Sequence, residues 1–347
     1  MTERTESGIL YGYFNDTRYC PHQKRRVTRL VQLLPGQGCG IWLDTQAECC
    51  IFCRLPAGTR YAVLGEGFED RFHPWTVPPE DYHAMIDASL ENSDGVECIT
   101  CFNGGSFLTD REVPAAARQH LYRRFAEHPS ATELMVESRP EFVSPALLDE
   151  AEALIGGKAM KVAIGLESMD DRVRNQVLKK FMGRNSFLRA LRLLQERGIR
   201  TFVYVFLGAP GLSEREAYED ARASIKALAD LGVDEIALSC AFVPPGGMLE
   251  TWFNAGTFRP PWLWTVTRLI EDAAENGWPL SVGGFDDFPP PVAISMNCGR
   301  CDEAVLDAIE EHRQTGAFAC SVACACQTGW SEMMETGILA AQAYTKV

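Results

Sequence analysis

Short apolar runs alternate along this chain with longer amphipathic stretches. The apolar runs have the length of strands, and they predict strands at 40–43, 96–102, 133–136, 162–166, 201–207 and 235–238. The stretches between them predict helices at 79–90, 114–127, 145–154, 185–196 and 214–231. The first three of these helices begin with proline, which is favoured there because no intrahelical hydrogen bond is lost.

This alternation predicts an α/β fold, because parallel strands need crossover helices between them. Six units correspond to a partial (β/α)6 barrel, and the alternative of a full eight-fold barrel is disfavoured because the pattern ends near residue 242. Functional groups are expected at the C-terminal ends of the strands. We divide the chain into an N-terminal segment (1–36), a core barrel (37–285) and a small cysteine-rich C-terminal module (286–347).

Length and charge narrow the classes of function. The 347 residues suffice for one large domain with a small appendage. The formal net charge of -14 argues against a broad nucleic-acid-binding surface, because neutralising phosphates requires a basic face. The sequence has neither an apolar run long enough for a membrane span nor a secretory signal, so we expect a cytoplasmic protein without a membrane partner.

The chain contains thirteen cysteines, which in the cytosol are more often metal ligands than disulfides. Three of them lie in or beside apolar runs and are interpreted as buried thiols. The other ten form an early and a late group: Cys20, Cys39, Cys49, Cys50 and Cys53, then Cys298, Cys301, Cys320, Cys324 and Cys326.

The early group contains a C-x-x-C motif, with Phe52 between Cys50 and Cys53. A 4Fe–4S cluster held by three thiolates leaves one iron open, and that iron can bind the amino and carboxylate groups of S-adenosylmethionine. The motif alone is weak evidence, because zinc sites and thioredoxin-like proteins share it. The third thiolate is Cys39 or Cys49, and we favour Cys39 because adjacent cysteines point their side chains apart.

Further motifs follow the predicted strands and the barrel: Phe-Asn-Gly-Gly-Ser-Phe at 102–107, Glu-Ser-Arg-Pro-Glu-Phe at 137–142, Ile-Gly-Leu-Glu-Ser at 164–168 and Phe-Arg-Pro-Pro-Trp-Leu-Trp at 258–264. With the early and late cysteines, they make residues 38–330 resemble the radical SAM enzymes related to the Elongator catalytic subunit, especially the archaeosine-biosynthesis branch. The resemblance implies a 4Fe–4S cluster, S-adenosylmethionine and a reducing partner such as flavodoxin or ferredoxin.

The same resemblance implies roles for individual residues. The Gly-Gly-Ser loop would receive the methionine end of S-adenosylmethionine, since glycines let backbone donors approach a ligand. The polar residues that end the next two strands would face its charged or ribose groups, although a carboxylate there can instead cap a helix. The residues assigned to the cofactor on this basis are Phe52, Gly104, Gly105, Ser106, Glu137, Ser138, Arg139 and Glu167. Catalysis would depend on Cys50 and Cys53 as cluster ligands.

A narrower resemblance concerns residues 48–53, Glu-Cys-Cys-Ile-Phe-Cys. This motif is similar to the paired-cysteine motif of the radical SAM enzyme of arsinothricin biosynthesis. That enzyme transfers the 3-amino-3-carboxypropyl group of S-adenosylmethionine to trivalent arsenic. The resemblance would imply cleavage of a different C–S bond, and it would make Cys49 rather than Cys39 the third ligand.

The late cysteines form two close pairs, Cys298 with Cys301 and Cys324 with Cys326. Four thiolates in this arrangement can hold zinc or a second, auxiliary iron–sulfur cluster. Cys320 is a spare ligand that could replace any of them. A trap for trivalent arsenic at Cys320, Cys324 and Cys326 is a further alternative, since arsenic is a soft ion that prefers thiolates.

Three functions are compatible with these features. The sharpest prediction is transfer of the aminocarboxypropyl group to trivalent arsenic in natural-product biosynthesis, with a small-molecule substrate. The alternative is adenosyl-radical modification of a deazapurine nucleoside of the archaeosine type, with tRNA the less favoured form of substrate because the chain is acidic. A non-enzymatic metal-binding regulator is ranked last, because it leaves the Gly-Gly-Ser loop and the strand-end carboxylates without a purpose.

Overall fold

The computed structural model describes residues 1–65, 74–91, 93–285 and 290–337. Its strands form one sheet in chain order: β1 (Thr2–Arg4), β2 (Leu10–Cys20), β3 (Arg25–Leu33), β4 (Cys98–Phe102), β5 (Glu133–Glu137), β6 (Ala159–Glu167), β7 (Arg200–Leu207), β8 (Glu235–Cys240) and β9 (Leu280–Val282). Strands β1 to β3 pair antiparallel, and every pairing from β3 to β9 is parallel.

Helices follow the parallel strands. The α-helices are α1 (Gly40–Asp44), α2 (Leu55–Leu64), α3 (Pro79–Leu90), α4 (Ala115–Glu127), α5 (Pro145–Leu154), α6 (Arg184–Glu196), α7 (Glu214–Asp230), α8 (Met248–Asn254), α9 (Leu263–Asn276), α10 (Asp302–Thr315) and α11 (Cys326–Thr336). A 3-10 turn at Pro140–Phe142 and a π-helical turn at Val173–Val177 complete the described helical elements. The six units from β3 to β8 confirm the predicted partial (β/α)6 barrel, and β9 extends it by one parallel strand.

The predicted strand at 40–43 is wrong, because these residues lie in the short helix α1. The first parallel strand is β3, within the segment 1–36 that we had separated from the barrel. Polar residues interrupt the apolar run by which β3 could be predicted. One of them, Arg29, lies in the strand and forms an ion pair of 2.6 Å with Asp16 of β2. The N-terminal segment is therefore part of the sheet.

The concave side of the sheet is layered. Lys161 lies near the start of β6 and pairs with Glu133 at 2.9 Å and with Glu235 at 3.2 Å, so a buried ionic layer closes the N-terminal end of the barrel. Two residues further along each strand, an apolar layer contains Met135 and Phe202 with smaller neighbours. This spacing follows from the alternation of side chains along a strand. The C-terminal ends of the strands lie above these two layers.

The cysteine-rich C-terminal residues pack against the barrel. Helix α10 contacts β2, β3 and β9, and helix α11 contacts α7. Val305 and Ile309 of α10 are fully buried. The predicted boundary at 285/286 adjoins residues outside the described part of the chain and stays a prediction. None of the described helices is both long and apolar enough to cross a membrane.

Candidate active site

Four of the early cysteines, Cys39, Cys49, Cys50 and Cys53, lie between β3 and α2, beyond the C-terminal end of β3, whereas Cys20 ends strand β2. Cys39 directly precedes α1, and its carbonyl accepts a hydrogen bond from Leu43 N at 3.1 Å. Cys50 adopts a φ of 42°, its N–H donates to the carbonyl of Lys179 at 2.9 Å, and its own carbonyl accepts from Cys53 N at 2.8 Å. The loop is therefore anchored to the segment that follows β6.

The thiols of Cys39, Cys50 and Cys53 act electrostatically on one another. Burial raises the pKa of Cys39 to about 11, with a smaller contribution from Glu112, and burial also raises the pKa of Cys53. The pKa of Cys50 is lowered to about 6, mainly because the Cys49 thiol donates a hydrogen bond to it. The free thiols thus differ in their readiness to ionise.

Cys49 differs from these three thiols in its surroundings. Its residue is 3 % exposed, whereas Cys39, Cys50 and Cys53 are half-buried. The Cys49 thiol forms hydrogen bonds with the side chains of Cys50 and Thr45. Both observations distinguish Cys49 from the other three thiols, and the choice of Cys39 as the third ligand stays a prediction.

Two cations lie beside the cysteine loop. Lys180 and Arg139 both favour the thiolate of Cys50. Lys180 also lies 5.7 Å from the ring centroid of Phe52, which packs on Phe206 with their centroids 4.7 Å apart. Positive charge at this position compensates the negative charge of thiolate ligands, so the residues present suit an iron–sulfur cluster.

Glu112, a residue that sequence reasoning missed, joins the cysteine loop to the Gly-Gly-Ser loop. Its carboxylate accepts hydrogen bonds from Gly40 N at 3.0 Å and from Ser106 N. The residue is 1 % exposed, and burial raises its pKa. No motif marks Glu112, because it reaches the site only through the path of the loop before α4.

The two glycines of this loop are required by contacts within the protein. Gly104 has a φ of 68°, which disfavours residues with a side chain, and a Cβ there would overlap the Thr59 hydroxyl. A Cβ on Gly105 would overlap the Glu112 carboxylate. Close packing against the chain itself therefore explains both glycines, and the predicted contact with the methionine end of S-adenosylmethionine stays a prediction.

Two carboxylates end neighbouring strands at the top of the barrel. Glu137 accepts a hydrogen bond from the Tyr204 hydroxyl at 2.7 Å, and burial raises its pKa to about 7. Glu167 accepts from Lys180 Nζ at 2.8 Å and is 4 % exposed. Lys180, like Glu112, was missed, because neither spacing nor sequence motif links it to the strand that it faces.

Ser138 and Arg139 support the loops around the site. The guanidinium of Arg139 donates to the carbonyls of Lys180 at 3.1 Å and Phe181 at 2.8 Å, and the backbone N–H of Arg139 donates to the Ser106 hydroxyl at 3.2 Å. The buried Ser138 hydroxyl donates to the carbonyl of Arg139 at 3.2 Å. These contacts explain both residues structurally, so their predicted contacts with the cofactor stay predictions.

The late cysteines Cys298, Cys301, Cys324 and Cys326 come together as one group. Within the described ranges they are the only set of three or more potential ligands whose atoms all lie within 4.8 Å of one another. Cys320 is not a member, so the spare ligand has no place in this group. The arsenic trap is not assembled, because Cys324 and Cys326 face the first pair.

A comparison with protein families identifies the class of protein that this fold and site define. The model of the radical SAM superfamily matches residues 47–224, which is more than half of the chain. The chain belongs to this superfamily and is an enzyme whose cofactors are a 4Fe–4S cluster and S-adenosylmethionine, as predicted. The alternative of a non-enzymatic regulator is thereby set aside.

Individual relatives from the predicted branch are similar to the chain over 70% or more of its length. It is 29% identical to archaeosine synthase subunit beta of Methanosarcina acetivorans, covering 74% of this chain and 76% of the relative. The protein of the same name from Thermococcus kodakarensis is 28% identical over 70% of this chain and 71% of its own. The structure of Elp3 from Methanocaldococcus infernus, lacking its N-terminus, aligns with a TM-score of 0.51 and 17% identity, covering 69% of this chain and 60% of Elp3, and it supports the fold.

Proposed function

We propose that this enzyme modifies a deazapurine base or nucleoside of the archaeosine type by radical chemistry at the top of the barrel. The observation that carries the proposal is the similarity to two proteins named archaeosine synthase subunit beta, each over about seven tenths of its length or more. The sequence predicts this function as the alternative to transfer of an aminocarboxypropyl group to trivalent arsenic. The relatives favour it over the arsenic prediction, which rests on residues 48–53 alone.

The cofactors would be held at the C-terminal ends of the strands. Cys39, Cys50 and Cys53 would ligate the cluster, while Lys180 and Arg139 would offset its negative charge. The bound cluster and S-adenosylmethionine together supply a carbon radical through reductive cleavage of a C–S bond. The residues of the chain hold these groups and the substrate in place.

In this proposal, a planar base would pack against the residues at the top of the barrel. Phe102 and Tyr204 pack against the apolar layer, which also contains the small residues Ala163 and Ala237. Ligand pockets are commonly apolar with a few polar groups that set orientation. Phe102 and Tyr204, together with the carboxylate of Glu137, would form such an arrangement.

Glu137 is the polar group that would orient the base. The Tyr204 hydroxyl occupies its Oε1, and an ionised carboxylate retains further acceptor sites. The pyrimidine ring of a deazaguanine presents neighbouring N–H donors, which a carboxylate can accept side by side. Glu137 therefore serves the substrate in this proposal, a different role from the contact with S-adenosylmethionine predicted from the sequence.

The charge distribution favours a free base or nucleoside over tRNA. Two of the three arginines of β3 form ion pairs within the protein, since Arg25 pairs with Glu97 at 2.6 Å and Arg29 pairs with Asp16, while the exposed Arg26 donates to the Gln314 side chain at 3.3 Å. These two ion pairs reduce the positive charge that β3 presents to phosphates. The word "subunit" in the relatives' name raises a second possibility, in which a partner chain brings the RNA.

The test is anaerobic reconstitution with iron and sulfide, followed by dithionite, S-adenosylmethionine and one candidate substrate per reaction. Deazaguanine nucleosides, tRNA and arsenite are compared, and mass spectrometry identifies the products. We expect 5′-deoxyadenosine together with a modified deazapurine, and neither product from Cys50→Ala. Formation of 5′-methylthioadenosine with an aminocarboxypropyl arsenic compound would overturn the proposal in favour of the arsenic prediction.

A further inference from the structure

The four late thiols have the spacing of ligands around a single metal ion. The Sγ atoms of Cys298 and Cys301 lie 3.9 Å apart, those of Cys298 and Cys324 lie 3.6 Å apart, and those of Cys301 and Cys326 lie 3.6 Å apart. A tetrahedral ion with Zn–S bonds of about 2.3 Å places its sulfurs about 3.8 Å apart. The thiols are thus already at the separation that a zinc ion imposes.

The same spacing disfavours an auxiliary 4Fe–4S cluster. Such a cluster binds each thiolate through a different iron, so its ligands must stand farther apart than those of one ion. The early thiols provide a comparison within the chain, because Cys39, Cys50 and Cys53 do not form a set within 4.8 Å in the described residues. The two groups of cysteines are therefore built for different inorganic centres.

Hydrogen-bond donors surround the late thiols. Trp264 Nε1 donates to the sulfur of Cys326 at 3.3 Å, and Asn297 Nδ2 donates to that of Cys301 at 3.5 Å. The backbone N–H of Arg300 donates to Cys298. Donors to the ligating atoms orient them and stabilise thiolates, as outer contacts do around bound metals.

We propose that Cys298, Cys301, Cys324 and Cys326 bind one structural zinc ion. Four protein ligands close the coordination sphere, so no position is left for water or substrate, and this distinguishes a structural site from a catalytic one. The site does not contain Cys320. It is independent of the radical chemistry at the other cysteines.

The ion would join the N-termini of α10 and α11, and a hydrogen bond from Trp264 would connect it to α9. Cys301 directly precedes α10, Cys326 is the first residue of α11, and Trp264 lies in the first turn of α9. The side-chain oxygen Oδ1 of Asn297 also accepts a hydrogen bond from the backbone N–H of Trp264 at 3.2 Å. Zinc binding would thus add to the folding energy that the buried residues of α10 supply.

The test is the metal content of the full-length protein purified from zinc-supplemented cells, combined with X-ray absorption at the zinc edge. We expect about one zinc per chain with four sulfur neighbours at about 2.3 Å. Cys298→Ser and Cys301→Ser should lose the zinc. Cys320→Ser and Cys53→Ala, which alter cysteines outside the site, should retain it.

Cys298 is exposed, so Cys298→Ser removes a metal ligand with little disturbance of packing. The X-ray absorption spectrum of the unaltered protein tests the sulfur coordination without any variant. The proposal is overturned if the unaltered protein contains no zinc. It is also overturned if Cys301→Ser lowers the iron content instead, since iron would then occupy the site, or if both ligand variants keep their zinc.

Discussion

Four thiols lie in the loop that follows the first parallel strand, but a cluster with an open iron takes only three. The C-x-x-C spacing predicts Cys50 and Cys53 as two of the ligands. The remaining candidates, Cys39 and Cys49, differ in their environments. Cys49 is buried against Thr45, whereas Cys39 is half-buried at the start of α1. The choice of the third ligand can therefore be tested by paired substitutions.

We predict that Cys39→Ala abolishes assembly of the cluster, while Cys49→Ala leaves it intact. The lost Cys39 thiolate removes a ligand, but the Cys49 side chain can be shortened at the cost of a small cavity. Iron and sulfide content after anaerobic reconstitution, with the visible absorption of the cluster, measures the outcome. A cluster that survives Cys39→Ala and disappears in Cys49→Ala would restore the paired-cysteine arrangement.

Glu137 gives a second prediction at the residue scale. Burial raises its pKa to about 7 in the folded protein, while an unfolded chain titrates near 4.3. Its contribution to stability is therefore fully present below about pH 4.3 and is lost as the pH rises to about 7. Glutamine cannot ionise and still accepts from Tyr204.

Glu137→Gln should accordingly gain stability relative to the unaltered protein between pH 5 and pH 8, by on the order of 2 kcal/mol. Urea unfolding at both pH values measures this difference, with the exposed Glu196→Gln as the control. A difference that stays constant with pH would show that Glu137 does not titrate in this range.

At the scale of elements, one buried carboxylate connects two loops of the site. Glu112 receives the N–H groups of Gly40 and Ser106, so the cysteine loop and the Gly-Gly-Ser loop keep a common geometry. Gly105 makes this contact possible, because any side chain there would occupy the space of the carboxylate. The two loops are therefore mechanically coupled through Glu112.

We predict that Gly105→Ala destabilises the protein by about 1–3 kcal/mol, because displacing Glu112 leaves buried N–H groups without an acceptor. It should also weaken binding of S-adenosylmethionine. Gly58→Ala is the matched control, since a Cβ at Gly58 of α2 meets no atom within 4 Å and alanine favours a helix. Urea unfolding and equilibrium dialysis of the ligand check the two effects. Equal behaviour of the two variants would contradict the coupling.

At the scale of the whole molecule, the C-terminal residues close the barrel. Helix α10 lies against β2, β3 and β9, so it links the two ends of the parallel set. Its buried residues belong to the same apolar core as the strands and outer helices. Unfolding of α10 should therefore disturb the barrel rather than a separate domain.

We predict that Ile309→Ala lowers the free energy of unfolding by about 2–5 kcal/mol, as expected for a cavity in a core. Leu306→Ala, at a half-buried position on the same helix, should cost less. Chemical denaturation gives the stabilities, and hydrogen exchange of β2 and β9 shows whether the strands are affected. Unchanged exchange in both strands would indicate that α10 is energetically separate.

The sequence by itself determined much of this architecture. Strands β4 to β8 and helices α3 to α7 lie within a few residues of their predicted positions, because apolar periodicity records which side of an element is buried. The cysteine spacing and the strand-end motifs also indicated the superfamily, which the family comparison confirmed. Motifs of this kind consist of residues close together in the sequence, so they can be recognised without the structure.

Only the tertiary structure decided the partners of buried charges and the contacts between distant loops. Strand β3 was missed because the charge of Arg29 is neutralised by Asp16 across a hairpin. Glu112 and Lys180 enter the site through loops whose paths no periodicity encodes. The four late thiols were expected as a group, but their single-ion spacing depends on how two segments, more than twenty residues apart, pack against α9 and the barrel. Long-range contacts of this kind depend on the packing of the whole chain, and no short window of sequence contains them.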